Sequence, residues 1–432
     1  MLVMVLCGQS VRLTLLALVF FGRVAAGYSG DAKRKPDTGP PPTTRIEVAP
    51  LGFVPPSRAY LNLRYSSITL DFIDNESLLF TFRDAGLIHR VPGDPVGDED
   101  QVIRAMVLDI KTGKPVEETQ WRMHDRQRYL WPLRDGRFIV RQRNALFLTD
   151  RRLGLRPYLQ FDTPLQAVEV APDRRLMVIE VQKIIAPDPE ADKPASVDPI
   201  FGISPQQRRK RTQVFVLRPG ETRILAETET RSSVDLPLLT DGFLSLLEGK
   251  DSGKWIIQKQ TLHNNSETVA EFKSSCLPTL FPVSEAVTLA VGCPPKGGGD
   301  HMVSALSSSG EVLWQDKWKQ RYIWPTFDYA EDGSRFAFGS LQLNRDMGFM
   351  DYFGADDVTA QMVGVFDTRS GKLQLVKDAT PMISAGHNYA LSRDGQRFAI
   401  LREGAIEIYD LPPVSVNPVA SSPPAADSAL VK

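Results

Sequence analysis

The residues able to do chemistry are few and scattered. Five histidines stand at positions 89, 124, 263, 301 and 387, and no two are four apart, so no helical pair is set to grip a metal. No G-x-S-x-G elbow, H-E-x-x-H pair or P-loop occurs. DSGK (251–254) is a turn between strands, with nothing beside Ser252 to make it a nucleophile. FDYAEDGS (327–334) offers Asp328 and Asp332 to calcium but lacks a later acidic ligand at the required spacing, and a turn explains it better. No catalytic residue and no metal ligand is assigned. No cofactor is expected, with calcium or a quinone left open.

Arginine beside aromatics is the more promising pattern. QRYLWP (127–132) recurs as QRYIWP (320–325), bringing Arg128, Tyr129 and Trp131, then Arg321, Tyr322 and Trp324. HNYALSRDG (387–395) aligns without gaps on RYLWPLRDG (128–136), which puts His387 where Arg128 stands. A guanidinium pairs with anions and stacks on rings, so these seven residues are candidates for binding a ligand or partner. The competing reading packs the rings between sheets and spends the arginines on backbone carbonyls. A basic run, Arg208, Arg209, Lys210 and Arg211, closes a long polar segment; it suits phosphate or an acidic partner, or is simply solvated.

Two cysteines have a structural reading. Cys276 and Cys293 flank two strand-like runs whose turn, Ser284-Glu285, lies midway between them, so they should face each other as a disulfide. Free thiols are the alternative. Zinc is disfavoured, because two cysteines with only His301 nearby lack the ligand count.

The elements that must position these residues are short strands. Tyr389 to Asp410 reads as three strands joined by turns at Asp394-Gly395 and Glu403-Gly404. The unit recurs about seven times, with turns at Asp74-Asn75, Asp135-Gly136, Asp173-Arg174, Asp241-Gly242, Ser284-Glu285, Asp332-Gly333 and Asp394-Gly395. A more apolar strand follows each turn, as in RFIVRQ (137–142) and RFAILRE (397–403). Four-stranded units without intervening helices predict an all-β fold, a single β-propeller of seven four-stranded blades. The last unit shows only three strands, so RIEVA (45–49) or AYLNLR (59–64) should supply its fourth and close the ring. A two-domain β-sandwich is the alternative. Three long insertions, 90–102, 183–212 and 341–361, each join a second strand to a third and should crowd one face.

Composition and termini set the context. The chain has 432 residues and a formal net charge of −1, which gives no basic field for nucleic acid. Arg12, the apolar run Leu13–Phe21 and the small residues Val24, Ala25 and Ala26 read as an export signal over 1–26, with an uncut anchor as the alternative. Residues 27–44 read as a disordered Pro-rich linker, 45–411 as the propeller and 412–432 as a disordered tail. The expectation is an exported protein, periplasmic or secreted, with no stable membrane span after signal cleavage.

These repeats resemble bacterial exported β-propellers of the broad WD40, YVTN and PQQ-like repeat superfamily. The resemblance covers about 45–411 and rests on the Asp-Gly hairpins, on strand-end dipeptides such as Phe366-Asp367 and Tyr409-Asp410, and on turns such as DTRSGK. SSGEVLW (308–314) is similar to the T-G-x-x-x-W core of quinoprotein repeats, whereas no unit carries both the Gly-His and the Trp-Asp of true WD40 repeats. The resemblance implies a fold and leaves activity open. The function expected is a binding or scaffold protein using its insertion-bearing face, monomeric, with a protein or extracellular ligand as partner. The alternative is a propeller enzyme, a quinoprotein-like oxidoreductase or a polysaccharide-acting lyase or hydrolase.

Overall fold

The computed structural model describes residues 40–58, 60–63, 66, 68–84, 100–124, 128–184, 210–234, 236–263, 265–296, 299–347 and 352–414. Strand β1 (Thr44–Glu47) comes first. Blade 1 holds β2 (Ile68–Asp74), β3 (Ser77–Arg83), β4 (Gln101–Asp109) and β5 (Pro115–Met123). Blade 2 holds β6 (Leu130–Pro132), β7 (Phe138–Gln142), β8 (Ala145–Thr149) and β9 (Arg156–Gln160). Blade 3 holds β10 (Leu165–Val170), β11 (Met177–Ile184), β12 (Lys210–Leu217) and β13 (Ile224–Thr230). Blade 4 holds β14 (Gly242–Glu248), β15 (Lys254–Thr261) and β16 (Ser266–Lys273), and its innermost strand shrinks to one bridge, Leu238 to Phe243. Blade 5 holds β17 (Thr279–Pro282), β18 (Val287–Gly292), β19 (His301–Ser307) and β20 (Val312–Trp318). Blade 6 holds β21 (Tyr322–Tyr329), β22 (Arg335–Leu343), β23 (Val358–Asp367) and β24 (Leu373–Asp378). Blade 7 holds β25 (Tyr389–Leu391), β26 (Arg397–Arg402) and β27 (Ala405–Asp410). The protein is a seven-bladed β-propeller, all antiparallel within each blade.

The expected closure is present. β1 lies beside β27, with Arg45 opposite Glu407 and Ile46 opposite Ile406. Arg45 pairs with Glu407, and the Thr43 hydroxyl donates to Asp410 at 3.0 Å. Ile46, Ile406 and Ile408 then share one core with Leu70, Phe80 and Phe82 of blade 1. This seam covers the edge that β27 would otherwise expose. The other closing candidate, AYLNLR, is corrected by the structure: Tyr60–Leu63 form a single helical turn. Leu61 docks it on blade 6 among Leu341, Leu343 and Val358, so the segment buries an apolar side chain without pairing its backbone to a sheet.

Burial follows position in the blade. β3 is buried along almost its whole length, because blades cover both of its faces, while the outer strand β5 exposes its first four residues. The tight turns lie where Asp-Gly pairs predict them. Gly333 and Gly395 take φ of 71° and 64°, the left-handed region that glycine enters without a Cβ clash. Blade 3 has Arg174 at that position, at φ 59°.

All three insertions connect second to third strands: β3 to β4, β11 to β12 and β22 to β23. Successive strands run antiparallel, so these connections open on the same face as those leading from blade to blade. We call this the insertion face. The turns from first to second strand lie on the opposite face.

Candidate functional site

Arg128, Tyr129 and Trp131 lead into β6 at the insertion face. The Arg128 Nε donates to the Leu130 carbonyl at 3.1 Å, and its guanidinium lies 5.6 Å over the Trp131 ring. Trp131 is 2% exposed and packs with Leu133, Leu165 and Val168 between blades 2 and 3. Its Nε1 finds no acceptor among the described residues. Tyr129 is fully buried, and its hydroxyl lies 2.6 Å from the Thr81 hydroxyl, which continues to Thr69 at 2.7 Å. Burial pushes the Tyr129 hydroxyl pKa up. Two of the three side chains are therefore spent joining neighbouring blades.

The structure brings His387 to Arg128. The segment before β25 makes a parallel bridge to Thr69, and the His387 carbonyl accepts from Leu70 at 2.8 Å. The imidazole stacks on Tyr389 with centroids 5.8 Å apart. Burial, and then the positive charge of Arg128, push its pKa down to about 3. His387 is thus neutral across the physiological range.

The second copy of the motif lies elsewhere. The Arg321 Nε meets Asp346 at 3.1 Å on the exposed rim. Tyr322 is half-buried at the start of β21. Trp324 sits where the register of β21 shifts, at φ 48°, with its ring 5.0 Å from Phe353. A bulge re-aims the side chain, so near-identical hexamer chemistry yields two different placements. Of the basic run, Lys210 and Arg211 open β12, with Lys210 exposed; Arg208 and Arg209 lie outside the described residues. Asp100, the last acidic residue of the first insertion, is held by Arg122 at 2.9 Å and by His124 and Arg143 at 3.1 Å each. Cys276 and Cys293 form a disulfide, with Cα atoms 5.5 Å apart, at the open end of the β17–β18 hairpin.

Sequence reasoning missed the polar axis. Asp71 on β2 is 7% exposed and Asp328 on β21 is 6% exposed. Burial first, and then the Asp328 charge, push the Asp71 carboxyl up to about 8, against the pull of Arg128 and Arg174. Burial also raises Asp328, whose Oδ2 accepts from the Leu391 amide at 2.6 Å. Two carboxyls on innermost strands of different blades thus lie within the influence of one another and of two guanidiniums, Arg128 before β6 and Arg174 in the β10–β11 turn. A charged residue inside the otherwise apolar run ITLDFID was the available signal. Such a cluster can hold a proton or a small anion. No three His, Cys, Asp or Glu side chains among the described residues group as a metal site.

No family model matches the sequence, and no curated protein matches it. Solved structures do. An acylaminoacyl peptidase in complex with Z-Gly-Gly-Phe-chloromethyl ketone aligns over 82% of this chain and 52% of its own, with 11% identity and a TM-score of 0.45. The orthorhombic form of the Pyrococcus horikoshii acylaminoacyl peptidase aligns over 82% and 54%, with 12% identity and a TM-score of 0.44. BamB from Moraxella catarrhalis aligns over 80% and 86%, with 12% identity and a TM-score of 0.32. The chain spans about half the length of the peptidases it matches. At this identity these likenesses concern the fold alone.

Proposed function

We propose that this protein is a binding module that engages a protein partner through its insertion face. One observation carries the reading: Tyr352 is 84% exposed at the head of an anchored segment, residues 352–357. Phe353 beside it packs on Trp324, and the Tyr352 carbonyl accepts from Arg345 at 2.7 Å. The Asp357 carboxylate accepts from the Gly354 amide at 2.9 Å, and Arg58 donates to the Ala355 carbonyl at 3.1 Å. A large aromatic held out to solvent by an anchored segment loses little entropy on binding, which is the character of an interface anchor. The disulfide suits an oxidising compartment, and we infer that the partner is met there. No helix among the described residues is long and apolar enough to cross a membrane.

The test is photo-crosslinking from position 352 in the native compartment, followed by affinity measurement with the purified partner. Tyr352→Ser should weaken that affinity by about tenfold or more, the loss of one hot-spot side chain. Unchanged affinity on Tyr352→Ser would remove the insertion-face loop from the reading.

A further inference from the structure

The opposite face carries a cluster of arginines that the proposed function does not use. Three turns from first to second strand have equivalent sequences: Arg134-Asp135-Gly136, Glu331-Asp332-Gly333 and Arg393-Asp394-Gly395. The residues before the aspartates approach one another. Arg134 Nε lies 3.1 Å from Glu331, Arg393 Nε lies 3.9 Å from it, and Arg174 of blade 3 lies 3.8 Å from it. Arg174 and Arg393 also both donate to the Leu133 carbonyl, at 3.4 and 3.2 Å. Three guanidiniums therefore converge on one carboxylate, and two of them on one carbonyl.

The cluster is under-satisfied. The Nε atoms of Arg134 and Arg393 and the Oε2 of Glu331 are buried without a hydrogen bond among the described residues. The turn aspartates make their hydrogen bonds and closest ion pairs elsewhere. Asp332 accepts from the Ser334 amide, and Asp394 accepts from Ser392, Gln396 and Asn75. Asp135 and Asp74 face other arginines, Arg137 at 4.0 Å and Arg151 at 3.7 Å. Asp173 accepts from Thr240 at 2.5 Å. Arg174 supplies a second, independent sign. It is 8% exposed and holds a left-handed backbone where its sister turns have glycine. A non-glycine residue there is strained, and strain of this kind gathers at functional positions. A cavity of about 260 Å³ adjoins the cluster on its Arg134 and Glu331 side, lined also by Arg175, Asp173, Glu285 and Asp332.

We propose that Arg134, Arg174 and Arg393 form an oxyanion site at this mouth of the channel, taking a phosphate or carboxylate group of a small molecule, with Glu331 as the internal counter-ion that the ligand partly replaces. Guanidiniums present forked donors that match both groups, and a buried charged hydrogen bond is among the stronger contacts available.

The experiment is calorimetric titration of the full chain with inorganic phosphate and, separately, with citrate, against chloride at equal ionic strength. Saturable one-to-one binding of either anion is expected, and the tighter one identifies the group. Arg174→Gly removes a guanidinium while relieving the left-handed strain, and should bind about tenfold more weakly. Arg134→Gln, on a more exposed side chain, should weaken binding in the same direction. Glu331→Gln removes the competitor and should tighten binding, an effect that a purely structural cluster would not produce. Three results would overturn the proposal: no saturable binding of either anion up to on the order of 10 mM, equal affinity in Arg174→Gly, or weaker binding in Glu331→Gln.

Discussion

Replacing Asp71 by Asn should abolish a loss of stability on the alkaline side. The folded carboxyl titrates at about 8, against a normal value of 3.8. Between those values the folded protein keeps a proton that the unfolded chain has released. The folded state binds more protons, so stability falls as pH rises through the window, by ~1.4 kcal/mol per pH unit. From about pH 5 to about pH 8 the loss is ~4 kcal/mol. A ring of roughly 370 residues unfolds with an entropy of roughly 0.8 kcal/mol per kelvin, so the melting temperature should fall by about 5 °C. The substituted amide does not titrate and has nearly the same shape as the carboxyl it replaces. The assay is thermal melting of both proteins from about pH 5 to about pH 9 at constant ionic strength, read as a difference curve. That difference isolates Asp71 from every other titrating group. It should grow in favour of Asp71→Asn as pH rises toward 8 and then level off. Asp328→Asn should move the transition to lower pH, because it removes the like charge while its amide oxygen can still accept from the Leu391 amide. A difference curve that stays flat across the range would refute the buried, charge-coupled axis.

Three further outcomes follow from the same structure. His387, held down to about 3, should make the protein less stable as pH falls below the normal value of 6.5, since only the unfolded chain then takes up the proton. His387→Gln should remove that acid-side slope, at most ~1.4 kcal/mol per pH unit for one proton, and acid-side melts of the two proteins that run parallel would contradict this. Breaking the disulfide with Cys276→Ser and Cys293→Ser opens a link of sequence separation 17 and should cost ~3 kcal/mol, or about 4 °C of melting temperature. Mass spectrometry of unreduced protein should find the two cysteine peptides joined. Deleting residues 40–47 strips β1 from β27 and leaves its edge bare, so light scattering should show concentration-dependent association; a well-behaved monomer would mean the seam is dispensable.

The architecture was legible because its signals are local. Asp394-Gly395, Asp332-Gly333 and the alternating strands between them specify hairpins over a few residues, and repetition of the hairpin implies the ring. The cysteine pair was legible for the same reason, since its hairpin sets the distance. The axis was not. Arg393 and Leu133 meet across 260 residues, and Asp71 comes under the charge of Asp328 only because their two strands are innermost in separate blades. The near-identical hexamers also diverged, because a register shift in β21 carries Trp324 to Phe353 while Trp131 stays between blades. AYLNLR left the sheet for a helical turn because Leu61 could bury itself on blade 6. Turn chemistry and period-two patterning act over a few residues and survive reading in one dimension. Which charged side chains share the axis depends on how seven sheets close around it, and that is set by packing between segments far apart in the chain.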